Sequence, residues 1–176
     1  YNYGNSFYSF EAGPVHVIFL NTYTPSDIGS KQYKWLKNDF AAINRTETPW
    51  VFVVMHGPWY NTNTHHYLEE QTVMMKNNME ELFFNNSVNM VFAGHVHAYE
   101  RSYPVFNDQR NNAGPVYIVI GDGGNREDHA EGYHRDTVWS AYRNDTLYGY
   151  GEVIMYNSTH VKWEWHREEL DRKSTR

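Results

Sequence analysis

The chain has 176 residues, 17% of them aromatic, and a formal net charge of −6 with both signs scattered along its length. That length and aromatic content suit one domain with a sizeable core and exclude a disordered chain. The charge pattern excludes the basic stripe of a nucleic-acid surface, and no apolar run reaches the roughly 18 residues of a membrane span.

Cysteine is absent, so disulfides and thiolate metal sites are excluded as well. An anionic substrate would then draw its countercharge from something local, such as a metal. The chain has no signal-peptide pattern and no initiator Met, and reads as a piece of something longer. Asn-x-Ser/Thr occurs at Asn44, Asn85, Asn144 and Asn157. Four such acceptor sites lean toward a secreted glycoprotein, extracellular or vacuolar/lysosomal.

In chain order, Val15–Leu20 is a short apolar run between Gly13-Pro14 and Thr24-Pro25, the pattern of a buried strand. Ser30 is a candidate N-cap for a helix with Tyr33, Leu36, Phe40 and Ile43 on one face. Thr48-Pro49 breaks the chain before a second buried strand, Trp50–Met55. Leu68, Thr72, Met75, Met79 and Leu82 space out a second amphipathic helix, and Met74, Met75 and Met79 read as its core. Val91–Ala93 and Val116–Ile120 are two more strands. A loop rich in charge and glycine runs from Gly121 to about Asp136. Gly151–Tyr156 and His160–Trp165 form a hairpin around Asn157-Ser158-Thr159. Strands alternating with helices, then a terminal antiparallel ribbon, predict an α/β layered sandwich, β-sheets flanked by helices, in a single domain over 1–176.

In such sheets, sites gather in the loops leaving the C-terminal ends of the strands. His56, His95 and Asp122 all stand there. His97 follows His95 by two residues in Gly94-His95-Val96-His97, and His65-His66 lies between the two strand ends. Imidazole suits zinc, iron, copper and nickel, and without Cys the remaining donors must be oxygen or more histidine. Each histidine alone has a plainer reading as a hydrogen-bonded loop residue. Two of them at separate strand ends favour metal binding.

The residues around these histidines carry a resemblance. Val53-Val54-Met55-His56 fits Val-x-x-His, and Gly94-His95-Val96-His97 fits Gly-His-x-His, continuing as Ala98-Tyr99-Glu100-Arg101-Ser102. Further matching pieces are Tyr8–His16, Gln32–Leu36, His56–Asn61 and Tyr117–Asn125. The whole resembles the C-terminal half of a plant-type purple acid phosphatase, one of the calcineurin-like metallophosphoesterases, and the likeness weakens over 126–147.

The resemblance implies a binuclear centre, Fe3+ with Zn2+, Mn2+ or Fe2+. His56 and His95 would ligate the divalent ion and His97 the iron. His65 and His66 would face the substrate, one of them as the acid for the leaving oxygen. The implied activity is acid hydrolysis of phosphate monoesters by a metal-bound hydroxide. The alternatives are a phosphodiesterase or nucleotide pyrophosphatase on the same scaffold, or a secreted binding protein or fragment without turnover. The family's earlier ligand motifs are absent from the chain, so the implied partners are a small phosphate ester and an N-terminal half that completes the site. By itself the chain is expected to bind metal weakly, and a homodimer is left open.

Glu100 and Arg101 read either as residues that orient the ligands or as a surface ion pair. Trp59 and Tyr60 read as a wall of the substrate pocket or as core. Asp122 reads as a metal contact or as turn chemistry. No chemistry is assigned to Tyr1, Tyr3 and Tyr8.

Overall fold

The computed structural model describes residues 5–168, so Tyr1 and Tyr3 lie outside the described residues. Its elements are β1 (Tyr8–Ala12), β2 (Val15–Phe19), α1 (Lys31–Ala42), β3 (Trp50–Met55), α2 (Glu70–Asn85), β4 (Met90–Ala93) and β5 (Tyr99–Ser102). Then come β6 (Val105–Phe106), β7 (Gln109–Arg110), β8 (Val116–Ile120), β9 (Ser140–Asn144), β10 (Gly149–Met155) and β11 (Val161–Arg167).

Seven strands make one sheet in the order β1-β2-β3-β4-β8-β5-β9. The centre, β2-β3-β4-β8, is parallel. Antiparallel β1 closes one edge, and β5 with β9 closes the other. Parallel neighbours need crossovers, and α1 and α2 supply two of them. Alternation along β3 explains why its sequence is apolar throughout. Val51, Val53 and Met55 face a core built with Leu36 and Phe40 of α1 and Met75, Met79 and Phe83 of α2. Trp50 and Phe52 face the other way, into a second cluster with Val153, Val161 and Trp163 of the β10–β11 hairpin. A strand buried on both faces has no polar side to show. Trp50 Nε1 also donates to the Asn157 carbonyl at 3.0 Å, fixing the hairpin's turn against the sheet.

Ser30 caps α1 as its sequence suggests, its hydroxyl accepting from Tyr33 N at 3.1 Å. Two expectations for α2 need correcting. Leu68 is not on the helix: its φ of 52° is left-handed, which no α-helical residue adopts, and the helix begins at Glu70. Met74 is not core either, being 52% exposed while Met75 and Met79 are fully buried. Strands β1, β5 and β9 carry too many polar residues to have announced themselves, and they owe their pairing to neighbours. Among the described residues no helix is long and apolar enough to cross a membrane.

Candidate metal centre and active site

Three loops meet at the C-terminal ends of the parallel strands. His56 directly follows β3, and His95 follows β4 after one glycine. Their rings lie 4.6 Å apart, centre to centre. His66, from the loop between β3 and α2, brings its ring to 3.9 Å from that of His95. Both His66 (φ 58°) and His95 (φ 60°) hold left-handed backbone, which costs a residue with a Cβ roughly 1–2 kcal/mol. At His95 that geometry belongs to two tight turns in succession, with Val96 N donating to Gly94 O at 2.7 Å and Ala98 N to Val96 O at 2.8 Å. The turn packs against the end of β8 because position 121 is glycine. A Cβ there would stand 2.0 Å from the Val96 carbonyl oxygen.

Glu69 joins these rings, and no sequence signal singled it out. One carboxylate oxygen accepts from His66 Nδ1 at 2.6 Å and the other from His95 Nε2 at 3.0 Å. Gln71 Nε2 donates to the second oxygen at 2.7 Å. Glu69 is the N-cap residue of α2, yet its side chain makes no capping bond, because the histidines take it. Partial burial pushes its pKa up, but the bonds from His66 and His95 outweigh this and hold the carboxyl below its ordinary range. Burial and the neighbouring His95, His66 and His97 lower the pKa of His56 despite the opposing pull of Glu69, which favours the neutral imidazole that binds metal.

One donor atom from each of His66, Glu69 and His95 falls within 4.8 Å of the others. The imidazole of His95, with that of His56 adjoining, suits a borderline divalent cation, while Glu69 bonds the His66 and His95 rings and orients both. His97 follows His95 by two residues in the same turn, its Nδ1 3.9 Å from Glu127 Oε2. His65 stands apart from the ring cluster as an exposed residue. What is fixed there is its backbone, with N–H donating to Asn63 Oδ1 at 2.8 Å and carbonyl accepting from Asn61 Nδ2 at 3.3 Å.

The family profile for calcineurin-like phosphoesterase matches residues 3–99, more than half of the chain. The chain belongs to the calcineurin-like phosphoesterase family. A second profile, iron/zinc purple acid phosphatase-like protein C, matches residues 114–174. Purple acid phosphatase 18 of Arabidopsis thaliana is 47% identical over 168 residues, covering 95% of this chain and 38% of its own. A purple acid phosphatase of Glycine max is 39% identical over 174 residues, covering 92% of this chain and 37% of its own. The chain thus spans about two fifths of the curated relatives it matches. The structure of a purple acid phosphatase from yellow lupin seeds has the same fold, with a TM-score of 0.82 at 22% identity over 92% of this chain and 30% of that one.

Within this phosphoesterase fold the remaining candidates separate. Glu100 is not half of a surface ion pair. It is 2% exposed, and its oxygens accept from Thr62 N, Thr62 Oγ1 and Ser140 Oγ, each at 2.7 Å. It therefore anchors the loop that leads to the histidine pair. Arg101, on the opposite face of β5 from Glu100, sits beside Tyr99, whose hydroxyl pKa is raised by burial despite the opposing Trp163 bond and Arg101 charge. Tyr60 does not wall a pocket. It is 2% exposed, its ring packs on Tyr117 and Trp139, and its hydroxyl donates to Glu80 of α2. Trp59 is core as well, stacked on Phe83 at 4.6 Å. Asp122 is buried, with Oδ2 accepting from Trp165 Nε1 at 2.7 Å. Burial pushes its pKa up, partly offset by that bond. Asn44, Asn85 and Asn157 are exposed, and Asn144 is half-buried at the end of β9.

Proposed function

We propose that this chain forms part of a metal-dependent phosphomonoesterase, an acid phosphatase with a binuclear centre of iron and a divalent ion. The observation carrying this reading is the convergence of the His56, His66 and His95 rings on one another and on Glu69, at the strand ends of a phosphoesterase fold. In it His56 and His95 hold the divalent ion, His97 holds the iron, and Glu69 orients His95 and His66. Such a centre, when bound, supplies concentrated positive charge for the phosphoryl oxygens and activates water.

His65 and His66 face the ester. Water adds its oxygen to phosphorus while the bond from phosphorus to the ester oxygen breaks. The ester oxygen keeps the electron pair and takes a proton from a histidinium, leaving as an alcohol. An acid optimum follows from the need for that histidinium. The four glycosylation signals extend the proposal to a secreted glycoprotein.

The test uses the complete protein, loaded with iron and zinc. It should release phosphate from p-nitrophenyl phosphate and glycerol phosphate faster at acid than at neutral pH. A rate flat between the two, or a preference for bis(p-nitrophenyl) phosphate, contradicts the monoesterase reading. His97→Ala should lose iron, and unchanged iron content would refute its assigned role.

A further inference from the structure

We propose that Asn63 is a positioning residue that ties the backbone of the histidine pair to the His-Val-His turn, and so sets where the leaving-group acid meets the ester. This rests on the phosphatase reading above.

Asn63 is 1% exposed, and both ends of its amide are used. Oδ1 accepts from His65 N at 2.8 Å, and Nδ2 donates to the Ala130 carbonyl at 2.5 Å. An N–H can only donate and a carbonyl can only accept, so these partners fix the amide's orientation. Ala130, itself buried, donates its N–H to the His97 carbonyl at 3.0 Å. A continuous path therefore runs from His65 through Asn63 and Ala130 to His97. Asn63 N also donates to Asn61 Oδ1 at 2.9 Å, and Asn61 returns Nδ2 to the His65 carbonyl. The His65 peptide is held at both its donor and its acceptor, and the left-handed turn at His66 starts from that held peptide.

The tie is specific to a short amide. Alanine leaves the Ala130 carbonyl and the His65 N–H without these partners, and aspartate sets a carboxylate against a carbonyl. Yet the loop does not depend on Asn63 alone. Thr62 is fixed by Glu100, Thr64 N donates to the Gly132 carbonyl at 2.9 Å, and His134 N donates to the Thr62 carbonyl at 2.8 Å. Loss of the amide should thus let the histidine pair drift while the loop stays in place. Drift of a proton donor harms esters by how much they need the proton. The alkoxide of glycerol phosphate must be protonated as it leaves, whereas p-nitrophenolate departs without help. A misplacement near 1 Å costs on the order of 100-fold.

The experiment compares wild type and Asn63→Ala of the complete, metal-loaded protein on these two esters. The expected result is a fall in kcat on the order of 100-fold for glycerol phosphate and only a few-fold for p-nitrophenyl phosphate, with KM and metal content kept. Asn63→Ser, which can still accept from His65 N but cannot reach Ala130, should fall between. If Asn63→Ala does not fold, Asn63→Ser carries the same comparison. Equal losses on both esters, or none on either, overturn the positioning role while leaving the phosphatase reading intact. A wild type that hydrolyses neither ester overturns both.

Discussion

His56 and His95 could be read from the chain because each ends an apolar run, and a polar ring delivered at a strand end stands out. Glu69 could not. It is one carboxylate among several in a stretch without periodicity, and its contact with two histidines depends on left-handed residues at His66 and Leu68 that turn the loop back. Glu69→Gln keeps the size but removes the charge that pairs with both rings. It should weaken zinc binding by the complete protein about 10–100-fold, the usual effect of losing a residue that orients a ligand. Titration with a competing chelator measures this, and unchanged affinity would separate Glu69 from the site. Glu100 has a different weight. Glu100→Ala strands two donors of Thr62 and one of Ser140, which should cost about 3 kcal/mol in denaturant unfolding. His16 gives a pH signature. Burial alone would lower its pKa, but bonds to Asp39 (2.9 Å) and Glu11 (2.7 Å) prevail and raise it. A raised histidine stabilises the fold fully below its unfolded value of 6.5, and that contribution fades as pH climbs through the folded value. Wild type should therefore melt above His16→Gln in acid, with the gap closing at alkaline pH. A gap that widens with pH would reverse the assignment.

At the scale of elements, both helices and the central strands followed from hydrophobic spacing, because burial on one or two faces imposes that spacing. The edge strands did not. β5 (YERS) and β9 (SAYRN) carry charge inward, where Glu100 meets Thr62 and Ser140, so partners rather than periodicity decide their state. The functional loops share this property in part: besides their local turns, bonds such as Thr62 to Glu100 and Asn63 to Ala130 join segments far apart in sequence, and local sequence gives little sign of them. The approach of β8 to the His-Val-His turn is the most constrained of these contacts. Gly121→Ala would drive a methyl into the Val96 carbonyl, which is backbone and has no rotamer to yield. The turn must move, so metal content should drop even if far-UV circular dichroism is unchanged. Full metal retention in this variant would mean the turn tolerates displacement.

For the molecule as a whole, a seven-stranded sheet carries helices on one face and the β10–β11 hairpin on the other, leaving the ends of the parallel strands free to build the site. The chain covers 38% of its Arabidopsis thaliana relative, and the imidazoles it offers are part of the donor set that the proposed binuclear centre needs. The most direct measurement is the metal content of the complete protein after metal-replete expression and gel filtration, beside a variant carrying His56→Ala, His95→Ala and His97→Ala. Two metal ions per chain in the wild type, with both metal and phosphate release lost in the variant, is the predicted result. Equal metal content and equal phosphate release in the two proteins would contradict the account.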